Sequence, residues 1–489
     1  MSIPSPIGLP LELKLGEVDF SLPADARSYQ VNVQPSNVSQ VQQTGISLIC
    51  GISSAPTTLP QFTSQTIYFD LPAGASPSTF LDNRFTTLSF RANVSITTGV
   101  TAASITSAFQ RSGGYSWFDR MYITAQNGNI VEDVTEFGLV NDLMVATQLN
   151  PATRDSLAVQ YGFLSDPAAT VSQGHQWTTI VGGALNTATE TYSYSIPLAS
   201  SLVGVTADRF FNIGRTNKLQ IALQTATELP ISILCSATAA IAGAMTVTLS
   251  DFAIQCNYVD VGPSALAMID ATLPDKKAYI HGTTYKTSSI SMPAVAGSQS
   301  LLAGIRGSSI KSLFARFQDG GAQSTTNSIN GKYDSKNPLL NSINFNIGGQ
   351  RIPSNPVNPL LQPSRAFRAL QMASGSFNNA QFQSAMIPAQ YCKLSAGGTA
   401  QAATVGGTQA YYWNLGSVQT GLCQFIYGED LEVVARRGLM SGLNCNSAPV
   451  FVEFNAATAP TNAHLLYVHA LGDVVYIHDV MTGDVQVRM

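Results

Sequence analysis

Between Leu88 and Ile96 every second residue is apolar: Leu88, Phe90, Ala92, Val94 and Ile96 point one way, and Ser89, Arg91, Asn93 and Ser95 the other. A side-chain period of two belongs to a strand with one face on a core, and this period recurs through most of the chain. Tyr192, Tyr194 and Ile196 mark a second strand and Leu219, Ile221 and Leu223 a third, each bounded by turn-forming residues. From Met245 the apolar set runs Met245, Val247, Leu249, then changes phase to Phe252, Ile254, Cys256 and Tyr258. The slip predicts a β-bulge near Ser250-Asp251. Long helical periodicity is nearly absent, so the fold class is all-β.

The strands come in a repeated order. Met121 to Val134 reads as two short strands folded about Gln126-Asn127-Gly128-Asn129, because Asn-Gly tolerates the positive φ of a tight hairpin. A short helix follows, with Thr135 as N-cap, Glu136 in the first turn, and Phe137, Val140 and Met144 on one face. Further on, Ile343, Phe345 and Ile347 alternate into Gly348-Gly349, the chain returns through Arg351-Ile352-Pro353, and a helix reads from Ser364 with Phe367 and Leu370 on one side. The strand at Ile310 to Phe317 matches that at Leu88, and Val450 to Phe454 matches that at Leu219. Each correspondence is offset by roughly 220 to 230 residues. One offset for several elements in one order implies duplication of a β-domain of about eight strands, the size of a jelly roll. The seam is expected near Val261-Gly262-Pro263, giving an N-terminal arm at 1–27, a first jelly roll at 28–262 and a second at 263–489. The arm, with Pro4, Pro6, Pro10 and Pro23 and no clear alternation, is expected to be extended and to order against a neighbour or the particle interior. Stretches rich in Gly, Ala, Ser, Thr and Asn, at Gln148 to Thr189, Gln318 to Asn341 and Gly375 to Gln409, are long loops expected to protrude as a tower.

Charged residues make up only 11% of the 489, far below the roughly 25% of an average soluble protein. A lightly charged surface has little like-charge repulsion to overcome when copies meet. The net charge is −4 and no Lys/Arg run occurs at either end, so direct, sequence-specific nucleic-acid binding is not expected. The six cysteines (Cys50, Cys235, Cys256, Cys392, Cys423, Cys445) are far apart and read as buried free thiols. The opening Met1-Ser2-Ile3-Pro4-Ser5-Pro6 has no secretory pattern and no apolar run approaches a membrane span, so the expectation is a protein made inside the cell and not secreted.

Residues that could carry chemistry are few. His464, His469 and His478 cluster near the C-terminus, but spacings of five and nine place the first two on opposite strand faces, so they read as ordinary strand histidines. Gly331-Lys332-Tyr333 has Tyr where a phosphate loop needs Ser or Thr, and Thr326 where it needs Gly. No G-x-S-x-G or H-E-x-x-H occurs, and Glu132, Asp133 and Glu136 sit where capping is a sufficient role. Tyr115, Trp117, Phe118 and Trp177 read as core or subunit-contact packing rather than a sugar-stacking platform. No catalytic, cofactor-binding or metal-binding residue is expected, and the chain is expected not to be an enzyme.

Five segments, in this order, resemble a known family. They are Phe69-Asp70-Leu71-Pro72 with Phe80-Leu81-Asp82 and Thr87-Leu88-Ser89-Phe90, similar to an opening strand pair; Gly128-Asn129-Ile130-Val131-Glu132 leading into a helix; Ile305-Arg306-Gly307-Ser308-Ser309-Ile310-Lys311; Gly349-Gln350-Arg351-Ile352-Pro353; and a closing hairpin at Gly472-Asp473-Val474-Val475-Tyr476-Ile477 with Thr482-Gly483. The family is the double jelly-roll major capsid proteins of eukaryotic DNA viruses, and within it those of Polinton-like viruses and virophages. The resemblance implies two tandem eight-stranded jelly rolls with short helices and tower loops. It also implies a homotrimeric capsomer of pseudo-hexagonal outline in an icosahedral shell around a DNA genome. The partners implied are copies of itself, neighbouring capsomers, penton and minor capsid proteins; an internal membrane beneath the shell is left open. The location implied is the virion capsid. The alternative reading is a β-sandwich receptor- or glycan-binding module of a virion spike.

Overall fold

The order in which strands neighbour one another fixes the topology of a two-sheet β-unit, and this chain uses one order twice. The computed structural model describes residues 26–50, 62–98, 105–109, 112–126, 128–149, 153, 156–157, 160–162, 178–180, 187–207, 209–235, 241–319, 331–333, 335–375, 386, 391, 404–405, 408–409, 424–432, 440–460 and 462–488. The strands of the first half are β1 (Arg27–Val33), β2 (Gln40–Cys50), β3 (Thr66–Leu71), β4 (Thr79–Thr98), β5 (Ile105–Phe109), β6 (Phe118–Ala125), β7 (Ile130–Thr135), β8 (Thr178–Ile180), β9 (Thr187–Pro197), β10 (Leu219–Thr225), β11 (Ile231–Cys235) and β12 (Ile241–Asp260). Those of the second half are β13 (Lys277–Met292), β14 (Gly297–Ala303), β15 (Ile310–Asp319), β16 (Leu340–Ile347), β17 (Gln350–Val357), β18 (Thr404–Val405), β19 (Thr408–Gln409), β20 (Ile426–Asp430), β21 (Val450–Ala456), β22 (His464–Asp479) and β23 (Asp484–Arg488).

Each half forms two antiparallel sheets. In the first they run β1-β12-β4-β9, with β2 also on β12, and β3-β10-β6-β7; in the second they run β13-β22-β15-β20, with β23 on β22, and β14-β21-β16-β17. With β1 and β2 taken as one element, and the principal strands of each half counted one to eight along the chain, both halves have the same order: 1-8-3-6 in one sheet and 2-7-4-5 in the other. A third small sheet, β11-β5-β8, extends the first half.

The alternating strands form where the period of two placed them. Leu88, Phe90, Ala92 and Val94 of β4 are buried, and Leu88 pairs with Ile254 of β12. The register between these strands shifts between Ser250 and Ala253, and Asp251 has φ 56, so the expected bulge is present. The hairpin β6-β7 turns with Gly128 at φ 74; Asn127 lies outside the described residues. The hairpin β16-β17 turns with Gly348 at φ 58 and Gly349 at φ 91. A helix follows each: Phe137–Gln148 and Pro363–Ala373.

Three readings are corrected. Thr135 ends β7, and the residue preceding the first helix is Glu136, in the left-handed region (φ 54, ψ 44) with no side-chain cap. The Val261-Gly262-Pro263 seam is more than a turn: an α-helix, Gly262–Thr272, fills it, because Pro just inside a helix start suits the first turn. Phe69-Asp70-Leu71 and Phe80-Leu81-Asp82, read as a strand pair, lie in opposite sheets, β3 pairing with β10 and β4 with β12 and β9. The arm up to residue 25, Trp177, Cys392, Cys423 and most of the three long loop stretches lie outside the described residues.

Candidate functional site

Among the described residues, several buried polar and charged side chains meet where the two halves join. The helix Phe137–Gln148 is a wedge there, with Phe137, Val140 and Leu143 in the main core. Leu139 packs instead with Tyr333 and Tyr467 of the second half. Asp142, three residues on and hence on the same side, accepts a 2.7 Å hydrogen bond from Nη1 of Arg316 on β15. Both side chains are 1% exposed. The other terminal nitrogen of Arg316 donates to the Tyr333 carbonyl at 2.6 Å. Gly138 is required on this face, because a Cβ there would overlap the Tyr333 hydroxyl.

Beside this pair, Lys332 places its ammonium 2.6 Å from Asp119 and 2.9 Å from Glu136. Burial works against the charged amine, but Glu136 and Asp119 outweigh it and hold Lys332 well above the usual lysine range. Glu228 faces the same cluster, and burial pushes its carboxyl up. Gly331-Lys332-Tyr333, the near-miss phosphate loop, is thus a plug of the second half seated on the first.

Glu132 forms another tie. It is buried and accepts from the Ser200 hydroxyl at 2.5 Å, the Ser201 amide at 2.8 Å and the Ser201 hydroxyl at 2.8 Å. Since that hydroxyl proton is committed, the Tyr476 hydroxyl donates to Ser201 Oγ across the seam, at 2.5 Å. Burial raises the Glu132 carboxyl and the three hydrogen bonds oppose the rise. The capping roles expected of the carboxylates are therefore corrected: Glu132 anchors this network, Asp133 pairs with Arg120 at 2.7 Å, and Glu136 binds Lys332. The partners of Glu132 and Glu136 come from distant parts of the chain, and nothing in local spacing signalled them, whereas Arg120 and Asp133 face each other across the β6-β7 hairpin.

The three histidines are spread along β22, at the positions opposite Met292, Thr287 and Ala278 of β13. His464 contacts the Asn462 carbonyl, and His469 the Thr287 hydroxyl, both at 2.9 Å. His478 donates from Nε2 toward Thr216 at 3.3 Å, because the Thr216 hydroxyl already donates to the Asn212 carbonyl. Burial lowers His469 to about 3 and His478 to about 4. Among the described residues no group of three or more His, Cys, Asp or Glu is placed to hold a metal ion. Tyr115, Trp117 and Phe118 are buried in the core. Cys256 and Cys445 are buried free thiols, and burial pushes Cys256 up to about 12.

What this arrangement does is mechanical. Two charged plugs, a tyrosine tie and a shared apolar core fix one eight-stranded unit against the other. An eight-stranded, two-sheet unit with this Greek-key order is a jelly roll, and here two stand in tandem. Solved structures share the arrangement across nearly the whole chain. A chain of the Sputnik virophage structure is 13% identical with a TM-score of 0.57, covering 100% of this chain and 93% of that one. The mavirus major capsid protein is 11% identical with a TM-score of 0.52, covering 100% and 96%. The Faustovirus major capsid protein is 9% identical with a TM-score of 0.51, covering 94% and 92%. This chain is a double jelly roll. No protein-family model and no curated protein sequence matches it. The double jelly roll is thus recognised by its wiring, which survives where sequence identity has fallen to about a tenth.

Proposed function

We propose that this double jelly roll is the major capsid protein of a DNA virus. Three copies associate into a capsomer of pseudo-hexagonal outline, and capsomers tile an icosahedral shell around the genome. The observation that carries the proposal is one strand order, 1-8-3-6 over 2-7-4-5, used twice in a chain whose two units are locked by buried polar ties. Two rigid, similar units per chain give six per trimer, which is the count a six-sided tile needs. The mavirus and Faustovirus proteins with this fold are major capsid proteins, which supports the same work here. In this reading the arm is 1–27, the jelly rolls are 28–262 and 263–489, and the product is a virion component made inside the host cell. Its partners are its own copies with penton and minor capsid proteins, and it catalyses no reaction.

Light scattering on the size-fractionated protein tests the proposal. The expected mass is about three times the 51.8 kDa chain, with a buried interface beyond roughly 2,000 Å², and electron micrographs should show six-sided particles. A stable monomer at micromolar concentration and physiological salt would overturn it.

A further inference from the structure

A cleft of about 200 Å³ opens where the helix Gly262–Thr272 meets both jelly rolls. Its apolar walls come from three sources: Phe80 and Phe210 of the first unit, Ile269 and Leu273 of the helix and its C-cap, and Ile280 and Val480 of the second unit. An apolar cavity of roughly 150 Å³ accepts a benzene-sized group, so this one has room for a bulky apolar side chain. The charged groups on its wall are unevenly matched. Asp270 is committed to Arg215 through two hydrogen bonds of 2.7 Å. Arg209 and Lys277 also line the cleft, and among the described residues neither takes part in an ion pair, Lys277 facing Asp479 across β13 and β22 from beyond that distance. The chain enters its body beside this cleft. Arg27, the first residue of β1, pairs with Asp260 at the end of β12, and the next residue, Val261, packs with Phe80, Phe210 and Ile269. The 25 residues before Ala26 therefore join the body next to the cleft, and their sequence suits it. Leu9, Leu11, Leu13, Leu15, Val18 and Phe20 are apolar, and Glu12, Glu17, Asp19 and Asp25 outnumber the one cation, Lys14. Leu273 stands about 18 Å along the helix from Val261, and the residues from Ser21 to Ala26 span about 20 Å when extended, so Phe20 and the residues before it can reach the cleft.

We infer that the segment from Leu9 to Phe20 seats apolar side chains in the cleft of its own chain, with its carboxylates against Arg209 and Lys277. A short tether holds the segment at an effective concentration on the order of millimolar, which favours the chain's own arm over a neighbour's. Because Ile280 and Val480 belong to the second unit, the seated arm straps the first jelly roll to the second. The strap belongs to a single chain and does not depend on how many copies associate.

The test places a photoreactive benzophenone side chain at position 13 of the full chain, in place of Leu13, and irradiates it. Mass spectrometry maps the adducts, and a denaturing gel separates links within one chain from links between two. The expected result is adducts within one chain on the cleft walls, between Ile269 and Ile280 or between Arg209 and Asn212. Their yield should fall about threefold or more when Arg209→Glu and Lys277→Glu reverse the charge of the wall, with circular dichroism confirming an unchanged fold. Adducts that join two chains would overturn the inference by placing the arm on a neighbour. Adducts elsewhere in the chain, no adducts, or a yield unmoved by the charge reversal would overturn it as well. Should the reversed wall misfold, Glu12→Gln with Glu17→Gln and Asp19→Asn removes the same complementarity from the arm and is read the same way.

Discussion

At the scale of single residues, the seam makes a sharp energetic prediction because its charges are buried. Arg316 and Asp142 are each 1% exposed, and removing one member of such a pair strands the other in a medium that solvates it poorly. Arg316→Met should lower unfolding free energy by about 3 to 5 kcal/mol, while Arg316→Met with Asp142→Leu should recover most of the loss, since two apolar groups leave no stranded charge. Denaturant melts of the two variants check it; equal losses would show that packing, not charge, sets the effect. The histidines predict a pH dependence. The unfolded chain binds a proton on each ring as pH drops below about 6.5, whereas folded His478 waits until about 4 and folded His469 until about 3. Each ring therefore contributes stability that is present above about pH 6.5 and lost on acidification at about 1.4 kcal/mol per pH unit. The raised carboxyls of Glu132 and Glu228 act with the opposite sign, losing their contribution as pH rises. His469→Gln isolates one ring: its stability should fall less steeply between pH 6.5 and 4.5 than wild type, by about one proton. Parallel profiles would place the acid sensitivity elsewhere.

At the scale of elements, what could be read from sequence was whatever repeats locally. The strand at Leu88, the bulge at Asp251 and both hairpin-helix units were legible because a half-buried strand alternates and a tight turn needs positive φ. The helix Gly262–Thr272 was not, since Gly-Pro signals a turn and a helix start alike. Neither were the roles of Glu132 and Lys332, whose partners lie 68 or more residues away. The hairpin glycines give a clean test of the local part. A Cβ on Gly128 or Gly349 would meet nothing within 4 Å, yet both residues have positive φ, so substitution costs backbone strain alone. Gly128→Ala and Gly349→Ala should each lose about 1 to 2 kcal/mol. Gly304→Ala should lose little, because its Cβ would meet only the Ser288 hydroxyl at 3.7 Å and it has no positive φ. Thermal melts of the three in parallel decide it, and equal melting temperatures would mean that the turns do not depend on glycine.

At the scale of the molecule, the question is whether two jelly rolls behave as two bodies or one. A single apolar cluster contains Phe90 and Ile254 of the first unit together with Phe314 and Tyr476 of the second, so apolar packing crosses the seam beside its buried polar ties. The backbones also approach closely. Ala207 bridges to Gly282, where a Cβ would lie 2.8 Å from that of Ser201, and Asn217 reaches the Thr482 carbonyl at 2.7 Å. Opening the seam would expose the shared core and unpair Arg316, Lys332 and Tyr476 at once, which makes a half-unfolded state costly. Calorimetry of the single chain should therefore show one transition with van't Hoff and calorimetric enthalpies equal, whereas independent units would give a ratio near one half. Gly282→Val adds bulk against Ser201 at the point of closest approach and should separate the melt into two transitions while leaving each unit's strand order intact. Two transitions already present in the wild type would mean that the two jelly rolls are hinged and unfold as separate bodies.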